Sequence, residues 1–169
     1  DDIKDFEIEG MSIGDNLLNY IDVSKIDELK ESYYKDNLYS TITIFPGDTK
    51  IELKNYDALV ISFLSKDNEY ILQAVSGIII YKEDILDCNK KRILIVEEFN
   101  SIFSNIKPQI NNFDAEFGKI ESTEFDFKNQ DKAIVACYNY DPHPSYTDHL
   151  RVSLNRGDFL NWIENKAYK

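Results

Sequence analysis

The residue types best suited to chemistry in this chain lie in one short stretch, residues 138–149. It holds both histidines, His143 and His149, together with Asp141 and Asp148. Imidazole nitrogens and carboxylate oxygens are ligands that divalent transition metals accept. In a hairpin loop the four side chains could converge on a metal, and the enzyme class they suggest is a metal-dependent hydrolase. Their spacing matches no established metal motif, and Pro, Asp and Ser are equally typical of an ordinary exposed turn.

The same stretch carries three tyrosines, Tyr138, Tyr140 and Tyr146. A tyrosine combines a large contact area with a polar hydroxyl and loses little conformational entropy when it binds a partner. Together with His143 they form a candidate ligand-binding surface. Tyrosine also suits a half-buried strand, so a structural role is the alternative.

Two cysteines, Cys88 and Cys137, are candidates for a disulfide. The apolar periodicity places Cys88 on the sheet-facing side of a helix, and Cys137 lies within a predicted strand, so contact between them is feasible. A disulfide would indicate an oxidising compartment, whereas two buried free thiols would fit a cytosolic protein. The two residues are too far apart for a CxxC redox motif, and two cysteines alone do not make a zinc site.

Other enzyme signatures are weak or absent in the sequence. Gly10, Ser12 and Gly14 give a literal Gly-x-Ser-x-Gly match. A nucleophile elbow requires a parallel sheet and a long following helix, and the neighbouring sequence predicts neither. There is no phosphate loop and no dinucleotide fingerprint. The sequence therefore predicts a non-catalytic protein without a cofactor.

The strongest structural element is a helix predicted over residues 85–105. Apolar side chains recur there at intervals of three and four, so we expect a continuous stripe that faces a sheet. Pro108 ends the helix, and the polar residues 109–112 are expected to form a connection. The stripe consists of Cys88, Ile95, Val96, Phe99, Ile102, Phe103 and Ile106, with the stem of Arg92.

Stretches rich in β-branched and aromatic residues predict the strands. Residues 39–45 and 50–54 flank a turn and predict a hairpin, and Gly77 predicts a bulge. Short helices are expected at 13–21 and 25–33. The remaining predictions are strands at 5–9, 58–64, 69–81, 119–128, 132–140 and 149–155, and a final helix at 158–166 that contains Trp162 as a core or edge anchor.

These elements predict an α+β fold in a single domain over residues 1–169. The expected architecture is one antiparallel or mixed sheet of five to seven strands. The long helix, the two short N-terminal helices and the C-terminal helix would pack against it.

Charge and hydropathy limit the classes of partner. The chain carries 31 acidic and 19 basic side chains, a net charge of −12. Such a surface repels phosphate backbones and anionic lipids, so nucleic acid is not an expected partner. Apolar runs are far shorter than the roughly 20 residues of a membrane helix, so direct membrane insertion is not expected. The expected partner is a protein or a small molecule, and the sequence favours no particular oligomeric state.

One stretch resembles a known group of sequences. Residues 6–18, FEIEGMSIGDNLL, are similar to the start of uncharacterised small exported proteins of marine alphaproteobacteria with AT-rich genomes. The likeness extends to the strand SGIIIY at residues 76–81 and to a helix that begins with Cys88. It implies a periplasmic or secreted location and supports the disulfide, and it brings no activity and no functional residues.

A weaker likeness, over the first third only, is to small outer-membrane assembly lipoproteins. They enter two short helices through a similar Gly-Met-Ser segment, but the lipid-bearing Cys of those proteins is absent here. The chain begins at Asp1 without Met, as expected of a mature exported form and equally of a shortened chain.

The sequence thus predicts an exported, non-catalytic binding or interaction domain. Two alternatives are a metal-dependent hydrolase that uses residues 141–149 and a structural protein of envelope assembly.

Overall fold

A computed structural model describes residues 2–31, 34–82, 84–142 and 145–169. The strands are β1 (Lys30–Glu31), β2 (Tyr39–Ile44), β3 (Ala58–Leu64), β4 (Leu72–Lys82), β5 (Gln109–Ala115), β6 (Gly118–Asp126), β7 (Lys132–Tyr140) and β8 (Asp148–Asn155). The helices are α1 (Val23–Leu29), α2 (Ile85–Ile102) and α3 (Gly157–Asn165), and 3₁₀ turns form at Ile3–Asp5, Leu17–Asn19 and Lys128–Gln130.

The eight strands form one antiparallel sheet in the order β1-β2-β3-β4-β8-β7-β6-β5. Each half is a meander of four consecutive strands, because sequential antiparallel strands need only short turns. Helix α2 connects the halves, and β4 pairs with β8 to join them. The predicted α+β class and the single antiparallel sheet are confirmed, but the predicted count of five to seven strands is wrong.

Two strands were missed: β1, which lies within the predicted helix over residues 25–33, and β5, where the sequence predicted a connection. The polar sequence of β5, QINNFDA, has no apolar alternation, and pairing with β6 provides its backbone partners instead. Side chains add to the pairing: Asn111 donates to Glu124 at 2.9 Å and Gln109 donates to Asp126 at 2.7 Å. A tertiary neighbour therefore makes this strand, not its own propensity.

Two predicted strands in the first third are wrong. Residues 5–9 end in a tight turn, because Glu9 and Gly10 adopt φ of 51° and 79° and Ile8 bridges Met11. Residues 50–54 pair with none of the described strands, and Ile51 and Leu53 pack against the larger core. The backbone N–H groups of Lys54 and Asn55 donate to the Glu9 carboxylate at 3.0 and 2.6 Å.

The predicted helix over residues 13–21 is also wrong. Its backbone groups have partners outside the segment: the Gly14 N–H donates to the Leu72 carbonyl, and the Leu17 N–H donates to the Tyr70 carbonyl. Only a single 3₁₀ turn forms there. The second short helix is confirmed as α1, although it is shorter than predicted.

Gly77 does not form a bulge, since it pairs in register with Leu59 and Val152. The register shifts lie elsewhere, at Ser62/Phe63 and at Ile80/Lys82. A Cβ atom at Gly77 would overlap the ring of Tyr56. The glycine therefore provides room for an aromatic side chain.

The two faces of the sheet are covered differently. The face that we call the core face carries α2 and the N-terminal segment over the larger apolar core, including Ile42, Leu59 and Val75. The opposite face, the α3 face, has a smaller cluster in which Phe159 and Trp162 of α3 pack on Tyr39 and Ala74. The predicted anchoring role of Trp162 is confirmed, because it is 2% exposed.

Helix α2 lies on the core face as its periodicity predicts. Cys88 and Phe103 are fully buried, and most of the stripe is at least half-buried, although Ile102 is 45% exposed. The predicted disulfide is confirmed: Cys88 of α2 is bonded to Cys137 of β7, with Cα atoms 6.1 Å apart. Within the described part of the chain, no helix has both the length and the apolar character to span a membrane.

Candidate functional site

Helix α3 covers only part of its face, and an apolar row lies beyond it. The strand registers place Phe113, Ile120, Tyr138, His149 and Ile80 side by side across β5, β6, β7, β8 and β4. Phe113 is 48% exposed and Ile80 is 43% exposed. We call these five residues the aromatic row. The three residues between Phe113 and Ile80 are partly exposed, and a contiguous apolar surface that reaches solvent is typical of an interaction site.

The tyrosines proposed from the sequence lie together at this row. The rings of Tyr138 and His149 stack with centroids 4.5 Å apart and planes 8° apart. Tyr140 and Tyr146 stack at 5.0 Å, and Tyr146 also stacks on Phe117 at 5.2 Å. The fourth predicted ligand-binding residue, His143, lies outside the described residues.

Burial shifts the pKa values of two titratable side chains in this cluster. It raises the pKa of Tyr140 to about 12, and neighbouring Tyr138 adds to the shift. It lowers the pKa of His149. The Nδ1 atom of His149 lies 2.9 Å from the carbonyl oxygen of Thr147. In neutral His149 an N–H donated there leaves Nε2 with a lone pair, so that atom can accept a hydrogen bond.

We expect His149 to titrate below the ordinary value of 6.5, because burial disfavours its charged form. The unfolded chain then binds the proton more readily than the folded chain does. The contribution to stability is complete above pH 6.5 and declines as the pH falls from there toward the native pKa. The measurement is an NMR titration of the imidazole signal that disappears in His149→Phe. A midpoint at or above the ordinary value would contradict the burial argument.

A trough lies between the aromatic row and α3. The floor of this trough includes Ala136 and Arg151. Tyr138 forms one wall, and Phe159 and Ile163 of α3 form the other. Two cavities of about 190 and 160 Å³ open into it, and both are lined by Arg151, Phe159 and Ile163. We call this region the α3 trough. Both cavities are smaller than the roughly 300 Å³ of a drug-sized pocket, so they suit a small molecule.

The predicted metal set has no support among the described residues. Asp148 is buried, and its carboxylate accepts a hydrogen bond from the Tyr140 N–H at 2.8 Å. Asp148 and His149 are adjacent in β8, so their side chains point to opposite faces. In the described ranges, no three His, Cys, Asp or Glu side chains are placed to hold a metal ion. Of the proposed ligands Asp141, His143, Asp148 and His149, His143 lies outside those ranges.

Ser12, at the centre of the Gly-x-Ser-x-Gly match, has a structural environment. It is 5% exposed, and its hydroxyl lies 3.1 Å from the Lys4 carbonyl, to which it donates. Its N–H donates to the Asp15 carboxylate at 2.9 Å. These bonds organise the N-terminal turn.

Sequence reasoning missed Arg151 and the participation of α3. One signal was available, because the alternation of β8 places His149, Arg151 and Ser153 on one face. Their neighbours on β4 and α3 depend on the strand order, which periodicity does not give.

Comparison with family models, with curated proteins and with solved structures gives no match for this chain.

Proposed function

We propose that this protein is a non-catalytic binding domain that takes a small molecule in the α3 trough. The observation that carries the proposal is the incomplete cover of the α3 face. A short helix leaves the aromatic row accessible and creates two cavities beside it. Ligand sites are typically concave, mostly apolar and equipped with a few polar groups. A small molecule fits this shape better than a protein partner does, because the cavities lie beneath α3.

The tyrosines support the same proposal. Tyr138 lines the cavity nearer to β7, and Tyr140 and Tyr146 extend the aromatic surface away from it. Aromatic side chains that already stack on one another are partly ordered before a ligand arrives, which reduces the entropy lost on binding. His143 stays a prediction as a member of this surface.

Filling the trough should strongly weaken binding. In Ile163→Trp the larger side chain would occupy the space that both cavities share beside Arg151. We expect small organic fragments to shift backbone amide signals of Ala136, Arg151 and Ser153 in the original protein, and the Trp variant to reduce these shifts by about tenfold or more. The measurement is a two-dimensional NMR fragment screen.

The matched control is Ile93→Trp, which makes the same exchange on α2 at a side chain that is 50% exposed. It should bind fragments as the original protein does. A screen that leaves every trough signal unmoved would remove the proposal.

We also propose an extracytoplasmic location, which the disulfide supports. Disulfides persist in oxidising compartments and are rare in the cytosol. The test is the thiol count in protein that is alkylated while still in its native cells. Two free sulfhydryls on Cys88 and Cys137 would contradict the proposed location.

A second candidate function is assembly through β5. This strand forms one of the two edges of the sheet, and six of its seven residues are exposed. It contains no Lys, Pro or bulge, which are common devices against edge pairing. An antiparallel pair of two copies, centred on Asn112, would place Asn111 opposite Phe113 and the two Phe113 rings on a diagonal within reach of each other. It would place no like charges directly opposite each other.

If β5 pairs two copies, the mass measured by light scattering should rise with concentration toward twice that of one chain. The double substitution Asn111→Lys and Phe113→Lys should weaken the pairing by about tenfold, because positions 111 and 113 face each other across the pair and would carry like charges. The control, Leu86→Lys with Leu94→Lys, adds the same charge on exposed positions of α2. A constant monomeric mass would exclude assembly through β5.

The metal-dependent hydrolase stays a prediction that depends on His143. Its test is elemental analysis of the purified protein. Zinc, manganese, iron and copper each well below one equivalent would remove it.

A further inference from the structure

The central side chain of the α3 trough is Arg151. In the sheet it lies between Ala136 of β7 and Ile78 of β4, so both cross-strand neighbours are apolar. It is half-buried and lines both cavities. The Arg151 side chain is thus partly shielded from solvent within the proposed binding site.

Arg151 lacks a counter-ion among the described residues. The other two arginines have partners: Arg92 donates to Thr123 at 3.1 Å, and Arg156 lies 3.9 Å from the Asp131 carboxylate. Arg151 makes neither a side-chain hydrogen bond nor an ion pair with any described residue, although acidic residues outnumber basic ones 31 to 19 in the chain. A partly buried charge without a partner is unfavourable, so a bound anion would relieve this cost.

The hydroxyl groups beside Arg151 point to the same chemistry. Ser76 is 1% exposed and lines the larger cavity, yet its hydroxyl makes no hydrogen bond with a described residue. Ser153 lines the other cavity, and its oxygen accepts from Asn155 at 2.9 Å. No described residue accepts the hydrogen of the Ser153 hydroxyl, so it can be donated to a ligand. An anion next to Arg151 would therefore find hydroxyl donors beside the guanidinium.

We propose that the ligand of the α3 trough is a small carboxylate whose negative group pairs with Arg151 and whose apolar body contacts Phe159 and Ile163. This inference rests on the proposed function and names its ligand class. A carboxylate matches the planar fork of a guanidinium through two parallel hydrogen bonds. Arg151 is the only charged residue among the described residues that line the two cavities. One positive charge balances a carboxylate, whereas a phosphate dianion would keep an unpaired charge.

The test compares benzoate with benzamide, which have nearly the same shape and differ in charge. Benzoate should shift the amide signals of Ala136, Arg151 and Ser153, and benzamide should bind about ten- to a hundredfold more weakly, as expected for loss of a charged hydrogen bond. The same comparison is made with acetate and acetamide, which have a smaller apolar group, and with octanoate and octanamide, which have a longer one. Higher salt should weaken the binding of every carboxylate.

Variants test whether the charge of Arg151 causes the preference for carboxylates. Arg151→Gln should remove the preference for carboxylates over amides, and Arg151→Lys should keep part of it, because a lysine retains the charge without the fork. Lys119→Gln, which removes one positive charge at an exposed position of β6, should change nothing. If Arg151→Gln does not fold, the preference for carboxylates over amides is still measured in the original protein and in Arg151→Lys. Those two measurements are enough to test the inference.

The outcomes separate the two proposals. Equal binding of benzoate and benzamide in the trough would overturn the carboxylate inference and leave the binding function standing. If neither the carboxylates, nor the amides, nor the general fragment screen move the trough signals, the proposed function fails as well.

Discussion

The double substitution Cys88→Ala with Cys137→Ala is expected to lower the free energy of unfolding by about 4 kcal/mol. The disulfide closes a loop with a sequence separation of 49, and the unfolded chain regains the entropy of that loop when the bond is absent. For a chain of this size, such a loss lowers the melting temperature by roughly 8–16 °C. The measurement is chemical unfolding of both proteins under non-reducing conditions.

Reducing agent provides the control for this effect. It should destabilise the original protein by a similar amount, because it opens the same loop, and it should leave the alanine variant unchanged. Equal stability of the original protein with and without reductant would show that the bond adds nothing to the fold.

The elements that the sequence predicts well are those whose pattern is set by their own residues. Helix α2 has a long apolar stripe at helical spacing, and β7 was predicted over the same residues that form it. Strand β7 pairs antiparallel with β8, as is common for consecutive strands that a short loop separates. The same periodicities made the disulfide feasible, because they placed Cys88 toward the sheet.

The failures lie where distant residues supply the backbone partners. Segment 13–16 is held by hydrogen bonds to the start of β4, and residues 54–55 donate to the Glu9 carboxylate. Neither interaction leaves a signal in local composition. Strand β5 exists because β6 lies beside it, so its polar sequence suggested a connection.

The candidate site likewise has a part that the sequence could predict and a part that it could not. Tyr138, Tyr140 and Tyr146 are close in sequence, so their common location could be expected. The α3 trough required knowledge that β4, β8 and β7 are neighbours and that α3 lies across them. Arg151 therefore became a candidate only once the strand order was known.

The central side chain of the larger core is Phe103, which follows the last turn of α2. It is 1% exposed, and its ring packs edge-on against Phe6 with centroids 4.1 Å apart. It also contacts Phe99 at 5.2 Å, Phe125 at 5.3 Å and Phe127 at 4.9 Å. One ring thus joins the N-terminal segment, α2 and β6.

We expect Phe103→Ala to lower the free energy of unfolding by about 3–5 kcal/mol, because it removes a buried ring and leaves a cavity that four surrounding rings cannot fill. The matched control is Phe45→Ala, at a side chain that is 51% exposed, for which the loss should stay within about 1 kcal/mol. Urea unfolding followed by tryptophan fluorescence measures both variants. Trp162 is a suitable reporter because it lies on the opposite face of the sheet, so the loss of the Phe103 ring does not alter its surroundings directly. A coincident transition in far-ultraviolet circular dichroism would show that the whole domain unfolds in one step. Equal losses for the two variants would mean that the ring cluster around Phe103 does not hold the N-terminal segment, α2 and β6 together.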